Sequence, residues 1–255
     1  MDTGKLLWSA QGPQHDVWHG GCLASRSERP SRVPTPRAPN APPPAVPKDE
    51  CPDEAHPDFD YSVSPILAKM PDGRDVLISG QKSGVVHAHD LDRKGAVIWQ
   101  NEVARRMMGG GGEIVFGGAV DGQRAYFPLH SGGVVALQLS DGVEKWFTPM
   151  EPPPGDELMA RHRGQTAAVS VIPGVVFSGG LDGWLRALST GNGRVFWEFN
   201  TAQEFETVNG VKAKGGSMGS AGPVIADGML FVTSGYIGFQ NGVPGNVLLA
   251  FAPSD

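Results

Sequence analysis

Short alternations of apolar and polar or small residues dominate this chain. Asp75-Val76-Leu77-Ile78-Ser79-Gly80, Gly84-Val85-Val86-His87-Ala88-His89 and Gly174-Val175-Val176-Phe177-Ser178-Gly179 are rich in β-branched residues and bounded by turn formers. Each predicts a strand rather than a helix. The stretches recur in a fixed order. A small-residue strand opens each copy (61–67, 116–120, 165–169, 217–224). A second strand follows (75–80, 124–127, 174–179, 229–234), and then a third (84–89, 133–137, 183–188, 246–251). A fourth carries a tryptophan just after an acidic or small polar residue and a glycine. The examples are Asp92-Arg93-Lys94-Gly95 before Trp99, Ser140-Asp141-Gly142 before Trp146 and Ser189-Thr190-Gly191 before Trp197. The same signature, Asp2-Thr3-Gly4 before Trp8, opens the chain, so residues 4–9 read as the last strand of a repeat.

Four strands in about 50 residues, joined by glycine turns, is the periodicity of a β-propeller blade. The taper agrees with it. Opening strands are built from Gly, Ala and Ser, as crowding near an axis requires, while the large Trp sits on the last strand, where it fills space between neighbouring blades. The tryptophans are therefore read as structural. The last copy stops without a fourth strand, and residues 4–9 have no preceding blade, so two sheet edges are expected to lie open.

Composition sharpens this picture. The chain of 255 residues holds 36 glycines and 22 prolines, a density that helix interiors do not tolerate and tight turns use readily. Apolar residues make up 40%, and the net charge is −6 with no basic stripe, which excludes a nucleic-acid footprint. No apolar run is long enough to span a membrane. One domain is expected over 1–255, interrupted at 24–57 by an Arg-, Ser- and Pro-rich insert of polyproline character that buries no core. Cys22 and Cys51 bracket that insert. They are either two unrelated thiols or a disulfide that closes a loop of about 30 residues and contributes roughly 3–4 kcal/mol in an oxidising compartment. Met1-Asp2-Thr3-Gly4-Lys5 is not a secretory signal, and the expectation is a piece of a longer chain.

The acid-glycine-tryptophan repeat resembles the tryptophan-docking motif of PQQ-dependent (quinoprotein) alcohol dehydrogenases. More narrowly, the polyvinyl-alcohol dehydrogenase branch is resembled by Asp16-Val17-Trp18, Phe59-Asp60-Tyr61, Gly80-Gln81-Lys82-Ser83-Gly84, Gly117-Gly118-Ala119-Val120-Asp121-Gly122, Phe205-Glu206-Thr207-Val208-Asn209-Gly210 and Pro244-Gly245-Asn246-Val247-Leu248-Leu249-Ala250-Phe251. The resemblance implies an all-β, partial PQQ-type propeller of about four four-stranded blades, half of an eight-bladed template. It implies oxidation of an alcohol by pyrroloquinoline quinone (PQQ) beside Ca²⁺, a cytochrome c-type electron acceptor and a periplasmic location. The aromatic-Asp-aromatic triplet of that family matches Phe59-Asp60-Tyr61, which makes Asp60 the candidate general base and a calcium ligand. The family's cationic cofactor-binding residue matches Lys82. By their residues alone, Asp60 is equally a turn-capping carboxylate, with Asp58 as its rival, and Lys82 an ordinary turn lysine. Two departures stand out. Phe116 occupies a place where the family carries tryptophan, and a single Asp falls short of the 6–8 oxygen ligands calcium takes.

Other constellations carry less. His15 and His19, or His87 and His89, have metal-ligand spacing; the second pair reads as the polar outer face of a strand. Gly109-Gly110-Gly111-Gly112 lacks the Lys-Ser/Thr of a P-loop, and Gly215-Gly216-Ser217 lacks the pattern of a nucleophile elbow. Two readings compete with the dehydrogenase. One is a non-catalytic interaction propeller, like the outer-membrane assembly lipoprotein that shares the repeat. The other is an inactive gene fragment. The open edges are expected to leave the chain incomplete, unstable alone, or paired, either with a second copy of itself or with a complementary half-propeller.

Overall fold

A computed structural model describes residues 4–12, 58–104, 113–151, 163–237 and 242–253. The chain forms two compact units, Met1–Ala10 with Asp60–Asp255, and Gln11–Phe59. Every described strand belongs to the first. Among the described residues there is no helix. Cys22, Cys51, Asp16, Trp18, His15, His19, the 24–57 insert and Gly109–Gly112 lie outside the described residues.

The strands form antiparallel sheets in strict chain order. The first holds β1 (Ile66–Lys69), β2 (Asp75–Gly80), β3 (Val85–Asp90) and β4 (Ala96–Glu102). The second holds β5 (Ala119–Val120), β6 (Arg124–Leu129), β7 (Gly133–Gln138) and β8 (Glu144–Thr148). The third holds β9 (Ser170–Ile172), β10 (Val175–Gly179), β11 (Trp184–Ser189) and β12 (Val195–Asn200). A small hairpin, β13 (Glu204–Phe205) with β14 (Ala213–Lys214), precedes a three-stranded sheet of β15 (Val224–Ala226), β16 (Met229–Ser234) and β17 (Val247–Phe251). Inner strands β1, β5 and β9 are neighbours, so the sheets diverge outward from them as propeller blades do.

Sheets stack face to face, and each core is shared by two of them. Val76, Ile78, Val86, Ala88 and Trp99 of the first sheet pack with Ala125, Phe127, Val135 and Leu137 of the second. The opposite face of the second, with Tyr126, Val134, Ala136 and Trp146, packs on Val169, Val176 and Leu188 of the third. Ala167 and Leu185 then meet Met218, Leu230 and Val232 of the last. Because an inner sheet is covered on both faces, β6 and β7 are apolar at nearly every position rather than at alternate ones. Each fully buried Tyr, Phe or Leu contributes about 1.5–3 kcal/mol.

The tryptophan signature forms the outer joint between sheets. The Trp99 ring lies so close to Gly142 that a Cβ there would sit 2.4 Å from its Cε3, and Gly142 has φ +72°. Trp99 Nε1 donates to Leu139 O at 2.9 Å, and Trp146 Nε1 donates to Thr190 O at 3.0 Å. Trp146 lies against Gly193, and Trp8 against Gly95, in the same manner. The docked glycine before Trp197 is therefore Gly193, not Gly191: the αL backbone that brings the ring close belongs to Gly193, with φ +73°. Trp197 itself packs edge-on to Phe251, with ring centroids 5.5 Å apart.

Three expectations are corrected. Residues 4–9 carry the sequence of a fourth strand, yet no sheet includes them, because no neighbouring strand pairs with them. The opening strands begin later than the small-residue stretches suggest. Gln165, Thr166 and Ala167 are buried, but Gln165 N bonds to Leu129 O of the preceding sheet, and the sheet's own ladder starts only at Ser170. His87 and His89 are not on a polar outer face; both are buried.

Candidate functional site

Sequence-predicted Asp60 and Lys82 meet at one end of the first sheet, at the turn between β2 and β3. The turn Gln81–Gly84 joins β2 to β3 and closes with Gly84 N donating to Gln81 O, 2.9 Å. Its Gly84 has φ +85°, and a Cβ there would meet Ala104 Cβ at 2.7 Å, so glycine is required. Lys82 N donates to Asp60 O at 3.1 Å, and Lys82 Nζ donates to Asp60 Oδ2 at 2.7 Å. The carboxylate is open to solvent, 56% exposed, and the lysine is 17% exposed. A half-sunk ammonium thus holds an accessible carboxylate.

The same turn recurs in the other complete sheets. His130 N donates to Glu113 O (2.9 Å), and Leu181 N donates to Gly164 O (2.9 Å), as Lys82 N does to Asp60 O. The segments also tie one sheet to the next: Glu113 N donates to Lys82 O at 2.6 Å, Gln165 N to Leu129 O at 2.9 Å and Met218 N to Gly180 O at 3.0 Å. A belt of backbone hydrogen bonds therefore runs across one end of the sheets, along the turns between their second and third strands. Its side chains differ: Asp60 with Lys82, Glu113 with His130, Gly164 with Leu181.

Glu113 is the residue sequence reasoning missed. It is buried, Ser131 Oγ donates to its Oε1, and its Oε2 has no partner. It follows a glycine run in no recognisable motif, and only its place in the repeat, the counterpart of Asp60, could have marked it.

Behind the Gln81–Gly84 turn lies an aromatic column. Tyr61 tilts against His87 (5.7 Å between centroids), His87 stacks on His89 (5.8 Å), and His89 stacks on Trp8 (6.1 Å). His87 Nε2 bonds Gln81 Oε1 at 3.1 Å, and His89 Nδ1 bonds Gly95 O at 3.0 Å. Burial, with a smaller contribution from the His89 charge, lowers the His87 pKa to about 4. Burial also raises Tyr61. Residues of β5, β9 and β15, among them Val120, Val171, Ile172, Val224 and Ile225, border a shallow depression of about 480 Å³ that is open to solvent.

The residues suit one implied cofactor and not the other. A quinone carbonyl needs a cationic donor near a base, and Lys82 beside Asp60 offers that pair. Calcium needs several oxygen ligands; among the described residues no three His, Cys, Asp or Glu side chains gather to hold a metal. Asp60 alone does not make a calcium site.

These features define a β-propeller whose sheets are joined by tryptophan-glycine contacts. Solved structures agree on the fold. BamB from Moraxella catarrhalis matches with TM-score 0.50 at 19% identity, covering 70% of this chain and 48% of that one. Quinohemoprotein alcohol dehydrogenase from Comamonas testosteroni matches with TM-score 0.50 at 19% identity, covering 69% and 29%. No family model matches the chain. Among curated proteins, the chain is similar from end to end to polyvinylalcohol dehydrogenase. It is 39% identical over 270 aligned positions to that of Pseudomonas sp, covering 99% of this chain. It is 33% identical over 276 positions to that of Sphingopyxis sp. (strain 113P3), covering 98%. The chain spans only 38% of the length of each.

Proposed function

We propose that this chain supplies the base and the cationic donor of a quinone-dependent alcohol oxidation, with a polyvinyl-alcohol-like secondary alcohol as substrate. The observation that carries the reading is the Asp60 Oδ2 to Lys82 Nζ contact of 2.7 Å, in a chain similar throughout to polyvinylalcohol dehydrogenases. PQQ, when bound, would accept the carbinol C–H hydrogen with its electron pair, while the hydroxyl proton goes to a base. Asp60, solvent-open, accepts the substrate hydroxyl proton on its carboxylate, a role that proximity and alignment make effective. Lys82, 2.7 Å from Asp60 Oδ2, would hold that carboxylate in place and would offer its ammonium to a quinone oxygen, where negative charge would grow on reduction. A cytochrome c-type protein then takes the electrons, in the periplasm. No step is assigned to calcium.

The test is a titration of the full chain with PQQ, followed by dye-linked oxidation of polyvinyl alcohol. Asp60→Asn is expected to lower turnover by about 10²–10⁴-fold while leaving quinone binding intact. Lys82→Gln is expected to weaken binding as well. Unchanged turnover in Asp60→Asn, or a wild-type chain that neither binds quinone nor oxidises alcohol, defeats the assignment.

A further inference from the structure

The two ends of the sheets are built differently. One end carries the tight turns that join first to second strands and third to fourth. Asp72, Asp90, Asp121, Asp141 and Asn192 cap them, each accepting from the backbone N–H two residues on. The other end carries the Gln81–Gly84 turn with Asp60 and Lys82, its counterparts, and the longer connections from one sheet to the next. The connection from the third sheet to the last contains the hairpin of β13 and β14. Both its feet stand at that end. Thr201 N donates to Gly183 O at 2.9 Å, as Val103 N donates to Gly84 O at 2.8 Å in the first sheet. Met218 N donates to Gly180 O at 3.0 Å on the way back. The hairpin therefore belongs to the end of the sheets that holds the Asp60–Lys82 pair.

Its base is braced and its tip stands in water. Thr201 and Ser234 are fully buried, and Thr201 Oγ1 lies 2.7 Å from both Gly183 O and Ser234 Oγ. Gly216 N donates to Ser234 Oγ at 2.9 Å. Gly215 N donates to Gln203 O at 3.0 Å, and a Cβ on Gly215 would sit 1.8 Å from Thr201 O. Lys214 N donates to Asn246 Oδ1 at 3.0 Å, and Asn246 N donates back to Lys214 O at 2.8 Å. Phe205 stacks on Phe199. A single turn closes the tip: Gly210 N donates to Thr207 O at 3.0 Å, with Gly210 at φ +74°. Residues 207–211 carry no charge. Val208 and Val211 are exposed there, Val208 completely, beside the exposed amide of Asn209. Bracing of this kind lowers the ordering cost of any contact the tip makes.

We propose that the 207–211 tip is a subsite for an extended, uncharged polyol chain whose reacting carbinol lies at the Asp60–Lys82 pair. The proposal rests on the alcohol-oxidation reading above and adds where the polymer is gripped. A polyvinyl alcohol chain alternates methylene with carbinol carbons. Its methylenes lie on Val208 and Val211, and its hydroxyls exchange hydrogen bonds with the Asn209 amide, which both donates and accepts. The pair belongs to the first sheet, and the hairpin joins the third to the last. A small alcohol at the pair therefore does not touch the tip, whereas a long chain crossing the same end of the sheets touches both. The tip sets a preference for polymer over small alcohol and takes no part in the chemistry.

Polymer binding is read apart from turnover. Fluorescently labelled polyvinyl alcohol is titrated with the full chain and followed by polarisation. Val208→Asp charges the tip at a fully exposed position, so the fold is kept, as an unchanged urea midpoint verifies. Its affinity for the polymer is expected to fall about tenfold or more. Val143→Asp is the control: that valine is also exposed, but in the turn between β7 and β8 at the opposite end, and the polymer should bind as before. Val208→Asp is expected to oxidise isopropanol as the wild type does, and Asp60→Asn to bind polymer as the wild type does. Turnover thus reads the Asp60–Lys82 assignment and polarisation reads the tip, so either can fail while the other stands. A wild-type chain that does not bind the polymer overturns the proposal. So does a Val208→Asp variant that binds it undiminished, the outcome expected if the tip serves a protein partner, or a Val143→Asp variant weakened equally.

Discussion

The outer joints and the turns between second and third strands are built from the same repeat, yet they have diverged to different degrees. At the outer joints, Trp99 on Gly142 and Trp146 on Gly193 are interchangeable down to the indole hydrogen bond to a backbone carbonyl. At these turns the backbone bonds repeat just as faithfully, but the side chains do not: Lys82, His130 and Leu181 occupy one position. The difference lies in what each feature rests on. An indole lying on an αL glycine allows almost no other residue pair, because any Cβ collides with the ring. A turn held by its own backbone allows almost any side chain at its second position. Stability is concentrated where the sequence cannot vary, and chemistry where it can.

The largest expected effect is therefore at an outer joint. Trp99→Ala removes a buried indole and its bond to Leu139 O, and a loss of about 3–5 kcal/mol is expected, read by urea denaturation. Gly142→Ala, which drives a methyl into the Trp99 ring, should cost clearly more than Gly174→Ala. Gly174 also has positive φ, but open space lies around its Cβ position, so only the backbone penalty of about 1–2 kcal/mol applies. Equal losses at the two glycines would mean that the ring contact adds nothing.

The turns between second and third strands offer the sharper contrast. In the third sheet the residue after Leu181 is Asp182, whose Oδ2 accepts from Arg186 Nη2 at 2.7 Å with both side chains at most 3% exposed. That turn has spent its polarity on structure. Asp182→Ala leaves a buried guanidinium with only its longer 3.6 Å contact to Glu198, and about 3–5 kcal/mol should be lost. Lys82→Ala in the first sheet breaks an ion pair whose carboxylate stays in water, and should cost less than about 1 kcal/mol. Comparable losses would erase the distinction between the two turns.

How legible this was from sequence follows the same division. The outer joint could be read because glycine and tryptophan stand four residues apart on one hairpin. It failed only before Trp197, where Gly191 and Gly193 compete and backbone conformation alone distinguishes them. The opening strands were misplaced because Gln165-Thr166-Ala167 is buried like a strand but spends its hydrogen bonds on a neighbouring sheet. His87 and His89 were misplaced because alternation reports burial only when one face of a sheet is wet. The Asp60–Lys82 pair joins segments distant in sequence and became visible through family resemblance. Glu113 carried no such mark, since its position is defined by backbone bonds to Lys82 and His130 that no residue pattern encodes.

The aromatic column behind Lys82 offers the smallest and most specific test of whether the first sheet differs from the rest. His87 stands where the second sheet has Val135 and the third has Arg186. Its folded pKa of about 4 lies below the ordinary 6.5, so between those values the unfolded chain binds a proton that the folded chain refuses. Stability owed to neutral His87 is complete above about pH 6.5 and drains away as the pH falls toward 4. His87→Gln keeps a polar side chain near Gln81 and cannot titrate. The wild type is expected to lose stability relative to the variant on going from pH 7 to pH 5, on the order of 1 kcal/mol, measured as the difference between their urea midpoints at each pH. Parallel midpoints across that range would show that the ring is reached by water and that the column is not the sealed face its stacking describes.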